Sequence, residues 1–352
     1  MSRPQDPHKP FLSFGNPFRM MMPKASCLPP KLLELLKDFE ESIAKHLVKL
    51  KPAEKEDVLS MFWLRSAMES LCGIHTEIKV LITELELPVC DWDEKWIDVY
   101  LDSSVKLLDI CIAFNSEISQ LNQGHLFLQS ALHTLGSASE NQFVKARSSL
   151  DGWKQHVGCK NPRLDKCFSA MESLVLALDL PKIKNSSKGK VLMRAMYGVK
   201  AVTLFICSAF AAALSGSANK MIDIQARETL WAEAFTDLQT FVNTEIRNRY
   251  SNGALTVLEE LEAVDASVKT LYPIVQDGVS PIQAEAIHEL KSDLETSADQ
   301  FSRGLDQLAK EVDRFFQVVL TGRDALLGNL RNSGNVSNHL QRSHSFESQA
   351  VR

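Results

Sequence analysis

Apolar residues recur at spacings of three and four along most of this chain, and no segment shows sustained period-two alternation. That is the pattern of helices that each bury one stripe. After Pro29-Pro30, the residues Leu32, Leu36, Phe39, Ile43, Leu47 and Leu50 form the first stripe. Pro52 sits where a first helical turn tolerates it, with Glu54, Glu56 and Asp57 at the positive end of the dipole. A second helix is predicted from there through Trp63 and Ile74 to about Leu85, with Gly73 as a weak point. Leu87-Pro88 stops it, and Asp91-Trp-Asp-Glu94 reads as an N-cap with its capping-box partner. Ile97, Leu101, Val105, Leu108 and Ile112 mark the predicted core face of a third helix, which reaches about Leu135 and bends near Gly124.

Shorter helices are predicted near 140–157 and 163–179, separated by Asn161-Pro162. Two more occupy 222–250 and 254–272, the second ending at Pro273. Ser280-Pro281-Ile282-Gln283 is a start signal with a cap, a proline at the first position and a closing glutamine. The residues Ile287, Leu290, Leu294, Ser297, Phe301, Leu305, Leu308, Val312, Phe315 and Val319 then repeat in a near-heptad seam. Partner helices for that seam exist in the same chain, so it is predicted to lie inside a bundle rather than to zip to another molecule. The expected fold is all-α: a bundle of long antiparallel helices over 29–331, an extended proline-rich arm over 1–28 and a disordered Ser/Asn-rich tail over 332–352.

Composition supports this. Only 15 glycines and 13 prolines occur, and seven of the prolines lie in the first 30 residues. The net charge of -5 argues against a nucleic-acid partner. Seven scattered cysteines, at 27, 72, 90, 111, 159, 167 and 207, suit a reducing compartment. The first ten residues lack an apolar run of signal-peptide type, and Ser2 stands where myristoylation needs glycine. The arm is acid-poor, as an organellar transit peptide is, yet its prolines oppose the usual amphipathic helix. Phe11, Phe14, Phe18 and Met20-Met21-Met22 would let it dock on a surface.

One segment stands apart. Residues 201–219 carry no charge and follow six cations: Lys182, Lys184, Lys188, Lys190, Arg194 and Lys200. A bilayer core of about 30 Å takes about 20 helical residues. The segment's 19 residues just suffice. Val202, Leu204, Phe205, Ile206, Phe210 and Leu214 favour insertion by roughly 2–4 kcal/mol together, about the cost of one misplaced charge. Two readings therefore stand side by side: a single span with the N-terminal half in the cytosol, or the innermost helix of a soluble bundle. A third is peripheral, with the six cations touching an anionic membrane surface.

Catalytic and metal signals are weak. No Gly-rich phosphate loop, His-Glu-x-x-His, Gly-x-Ser-x-Gly or Cys-x-x-Cys is present, and no cofactor is implied. His156, Cys159 and Cys167 lack a fourth zinc ligand, and the acids Asp91 to Asp98 read as a helix start rather than a calcium loop. Trp92 and Trp96, one turn apart, read as core anchors. Asn185 and Asn335 match the glycosylation pattern without a secretory signal. In the tail, Leu340-Gln-Arg342-Ser-His-Ser345 has the layout that basophilic kinases read. A phosphate on Ser345 would suit a phosphoserine adaptor.

Several strings are recognisable as words: Arg3-Pro-Gln-Asp-Pro7, Phe14-Gly-Asn-Pro-Phe18, Ala67-Met-Glu-Ser-Leu-Cys72, and Leu85-Glu-Leu-Pro88 with Asp91-Trp92 and Asp98-Val-Tyr-Leu-Asp102. Further ones are Leu180-Pro-Lys-Ile-Lys-Asn185, the stretch Lys188 to Gly198, and Leu261-Glu-Ala-Val264. From about residue 3 to 331 the chain resembles the plant BYPASS protein family, with Cys90 where close relatives are expected to have serine. The resemblance implies a protein of root and shoot development that restrains a root-derived, carotenoid-related mobile signal arresting shoot growth. It carries over no enzymatic activity and no catalytic residue. It implies membrane association or a plastid location. Two functions follow as expectations: a non-enzymatic regulatory scaffold binding partner proteins, or an enzyme or ligand-binding protein acting on the precursor of that signal.

Overall fold

The computed structural model describes residues 28–51, 59–86, 94–136, 141–159, 161–179, 186–254, 256–277 and 284–347, with side chains from 97 in the third segment and over 287–328 in the last. The described residues form nine helices: α1 (Pro30–Lys49), α2 (Met61–Glu84), α3 (Glu94–Leu135), α4 (Gln142–Gly158), α5 (Pro162–Leu176), α6 (Ser187–Ser215), α7 (Ala232–Ser251), α8 (Glu259–Asp277) and α9 (Ala284–Glu347). Among these residues there is no strand. The arm up to Cys27, the 91–93 cap with Trp92, the Trp96 side chain and the Ser280 start signal lie outside the described residues. The backbone of α9 is helical to Glu347.

Helix boundaries follow local chemistry. Ser60 caps α2, its Oγ accepting the Trp63 amide at 3.1 Å. The α2 start therefore lies at Met61, later than the expected turn after Pro52, whose acids are outside the described residues. Asn161 caps α5 by accepting the Arg163 amide, and Ser186 caps α6 by accepting the Gly189 amide, both at 3.0 Å. Gly216, at φ 66°, ends α6 in the left-handed conformation that glycine adopts without a Cβ penalty. Pro273 does not end its helix: it lies inside α8, which runs to Asp277. The α7 start is also later than expected, at Ala232, because residues 217–231 are held as an irregular strap.

That strap is tied down by side chains that replace a backbone ladder. Gln239 accepts the Ile224 amide at 2.9 Å and donates to the Ile224 carbonyl at 3.0 Å. Ser208 of α6 accepts the Ile222 amide, and Tyr197 donates to the Gln225 carbonyl while accepting the Arg227 amide.

α6 is the axis of the body. It packs against α1, α2, α3, α5 and α7. The contacts of Glu40 with Arg194 and of Ile43 with Gly198, and that of Phe114 with Phe210 together with the field of Asp102 at Lys200, show that α1, α3 and α6 run in the same direction. α2 runs against α6, as the pairs Glu86–Lys188 and His75–Thr203 require. The long α3 and α9 lie antiparallel, joined by Asn115 to Asp313 at 2.6 Å and by Arg323 to the Leu101 carbonyl at 2.7 Å. α4 and α8 pack on their far halves, where Trp153 meets Phe301 edge to face at 5.9 Å. The α9 seam from Leu294 to Val319 is buried inside this one bundle, and buried residues from all nine helices join in one cluster.

Candidate functional site

The uncharged segment is enclosed. Ala201 to Leu214 are all buried, including the polar Thr203 and Ser208. Thr203 donates to the Val199 carbonyl at 2.7 Å, so its oxygen is left to accept from His75 Nε2 at 2.9 Å. This assigns the ring proton to Nε2. Burial, and secondarily Lys79, push the His75 pKa down to about 3, so the imidazole is neutral. The helix is long and apolar enough to cross a membrane, yet most of its apolar window faces other helices of the same chain.

The cations that precede it do not share a face. At 3.6 residues per turn, positions 188, 190, 194 and 200 are spread around the helix. Lys188 donates to the Glu86 carbonyl at 3.1 Å, and Lys190 is half-buried. Arg194 grips the buried Glu40 carboxylate with Nε at 2.5 Å and a terminal nitrogen at 3.1 Å. Lys200 donates to the Ala177 carbonyl at 3.1 Å, and burial pushes its pKa down to about 8. Lys182 and Lys184 lie outside the described residues, as does the side chain of Ser345 near the end of α9.

A recess of about 780 Å³ opens instead on the outer side of α3, where α9 flanks one edge and the α4–α5 junction the other. Ile112, Ser116, Ser119 and Gln123 form its floor, with Phe316 and Asp313 on the α9 side and His156 and Arg163 opposite. His156 Nε2 donates to the Gln120 carbonyl at 2.8 Å, and the Gln120 amide donates to the Cys159 carbonyl at 2.8 Å. These bonds fix the groove wall and hold the ring with its proton on Nε2. Nearby, Glu117 is buried, with one carboxylate oxygen lacking a hydrogen-bond partner. Burial raises its pKa, an effect that Asn161 and His156 oppose.

The periodicity predicts Ile97, Leu101, Val105, Leu108 and Ile112 as the core face of α3. Ile97 is buried, and Leu101 and Leu108 are half-buried against the core, but Val105 and Ile112 are exposed, and the continuous core face is Leu107, Ile110, Cys111, Phe114, Ile118 and Leu121. The two stripes overlap in spacing, and the one carrying Phe114, which stacks on Phe210, is the one that meets α6. The groove was missed for that reason. The buried thiols offer little reactivity. Burial raises the pKa of Cys72 to about 11 and of Cys167 to about 12, and pushes those of Cys111 and Cys207 well above the ordinary thiol value. Cys159 is exposed at the α4 C-cap. Among the described residues no group of three or more His, Cys, Asp or Glu side chains is placed to hold a metal ion.

Comparison with known proteins bears on the same chain. A family model described as Protein BPS1 matches residues 87–314, and one described as Protein ROH1-like matches residues 19–153. Protein BPS1, chloroplastic, of Arabidopsis thaliana is 52% identical over 336 residues, covering 95% of this chain and 94% of that protein. UPF0496 protein 4 of Oryza sativa subsp. japonica is 44% identical over 318 residues, covering 89% of this chain and 69% of that protein. No solved structure matches. A family model spanning most of the helical body and a relative aligned along nearly the whole length lead to one conclusion: the chain belongs to the BPS1 family.

Proposed function

We propose that this chain is a non-enzymatic scaffold in plant root and shoot development, that it binds a partner protein along the α3–α9 groove, and that α6 is its core rather than a membrane span. The observation that carries this reading is the enclosure of Ala201 to Leu214 by five neighbouring helices, and the recess on the outer face of α3, lined by both apolar and polar side chains, supplies a surface for a partner. Family membership supports the developmental role. Restraint of a carotenoid-related mobile signal is the finer part of this proposal and rests on the resemblance of the sequence strings alone. The name of the Arabidopsis relative places that protein in the chloroplast, and the acid-poor N-terminus supports the same placement here as the alternative to a cytosolic or membrane-facing one. Phosphorylation of Ser345, close to the end of α9, adds a second docking point for a phosphoserine adaptor.

The test is complementation. Ile112→Arg with Ser119→Arg fills the groove, and Val144→Arg alters an exposed site on α4 outside it. In seedlings lacking their own copy, the groove variant should accumulate and fold normally yet fail to restore shoot growth, while Val144→Arg restores it. Full restoration by the groove variant would overturn the assignment.

A further inference from the structure

Asp98, Asp102, Val105, Asp109, Ile112 and Ser116 follow one another at spacings of three and four, so they share one face of α3. Val105 is 42% exposed and Ile112 45% exposed on that face, and the three aspartates are exposed beside them. Asp102 is paired with Lys106 at 2.6 Å, and Asp313 stands at the groove edge. A face that mixes acid with aliphatic side chains is complementary to an extended segment that mixes cations with aromatics.

Residues 1–27 are such a segment. Arg3, Lys9, Arg19 and Lys24 stand against Asp6 alone, with Phe11, Phe14 and Phe18 between them. The prolines at 4, 7, 10, 17 and 23 oppose helix and favour an extended chain, which lowers the entropy lost on docking. We infer that the N-terminal arm seats along the outer face of α3, its phenylalanines against Val105 and Ile112 and its cations against Asp98, Asp102 and Asp109. The inference rests on the reading of that groove as a binding surface, and it makes the arm an internal competitor for it.

The connection allows this. The arm joins the body at Leu28, which packs against the core just before α1. α1 and α3 begin at the same end of α6, since both run parallel to it. An extended segment of this length reaches about 90 Å. The face from Asp98 to Ser116 covers about 27 Å. The remainder is ample to cross the end of the bundle.

The experiment uses the full chain with p-benzoylphenylalanine at position 14. After irradiation and digestion, crosslinks should map to residues 98–123 of α3 and 313–317 of α9. Their yield should fall several-fold in Asp102→Lys with Asp109→Lys, and at 1 M salt, where the screening length is about 3 Å. Both aspartates are exposed, and circular dichroism checks that the variant keeps its helices. Crosslinks confined to α1, α7 or α8, crosslinks found only between molecules when light and heavy chains are mixed, or no crosslinks at all would each overturn the inference. The readout needs no partner, so its failure leaves partner binding standing. Full growth restoration by the groove variant, with arm crosslinks intact, strikes the partner reading alone.

Discussion

Glu40 is where three segments of the chain meet. Its buried carboxylate accepts two bonds from Arg194 of α6 and one, at 3.1 Å, from the Leu230 amide of the strap. Glu40→Ala leaves a guanidinium and a backbone donor unpaired and should destabilise the fold by about 2–4 kcal/mol in urea titration. Arg194→Ala strands the carboxylate, and the double variant should cost clearly less than the sum of the two. Additive losses would show that the pair does not act as a unit. His75 supplies a pH signature. Its folded pKa, about 3, lies below its unfolded value, so the unfolded chain binds more protons between about pH 6.5 and pH 3. The stabilising effect of its neutral form is complete above pH 6.5 and is lost as pH falls through that window, by up to about 1.4 kcal/mol per unit. His75→Gln, which can still bond Thr203, should flatten that part of the denaturation-midpoint profile, and an unchanged slope would assign it to other groups. Charge was legible at this scale, and pairing was not. Arg194 and Lys200 read as surface cations in the chain, but their partners Glu40 and Ala177 lie 154 and 23 residues away.

At the scale of the element, α6 decides between a core and a span. Phe210 stacks on Phe114 with ring centroids 4.4 Å apart, and Gly198 lets Ile43 and Trp231 approach to where a Cβ would meet the Ile43 methyl at 2.9 Å. Phe210→Ala should therefore cost about 3–5 kcal/mol, measured without detergent, as removal of a packed aromatic does. Gly198→Leu, which overfills the crossing, should cost at least about 1–3 kcal/mol. In alkaline carbonate, the full chain should leave the membrane fraction, and retention in the pellet would refute the core assignment for α6. Helices α4, α5 and α9 could be anticipated from their stripes and Asn161, and α6 from its uncharged run, but its Ser186 cap could not. The start of α7 and the end of α8 could not. Residues 217–231 are ordered by Gln239, Ser208 and Tyr197 rather than by any local turn signal, and Pro273 is accommodated within α8. The α3 stripe was ambiguous for a different reason: a 42-residue helix carries apolar residues on more than one side, and periodicity alone does not say which side α6 will meet.

At the scale of the whole molecule, the buried residues form one cluster that reaches from Leu36 in α1 to Leu326 in α9. Long chains often unfold in parts, because separate cores lose their packing separately. Here α3 packs on α5 and α6 in one half and on α4 in the other, while α9 packs on α2 in the first half and on α8 in the second. Loss of either half therefore exposes apolar faces of helices that the other half also needs, which couples the two. The expected outcome is a single unfolding transition of the 29–331 body. Trp231 reports the α6–α7 half through its contacts with Tyr197 and Phe235, and Trp153 reports the α4–α9 half through Phe301. Chains retaining one or the other tryptophan should show fluorescence midpoints that coincide with each other and with far-ultraviolet circular dichroism. Phe210→Ala and Phe301→Ala, placed in opposite halves, should lower that common midpoint together. Separate midpoints, with Phe301→Ala moving only the Trp153 signal, would divide the body into two domains and confine the coupling to helices α3 and α9 as mere connectors.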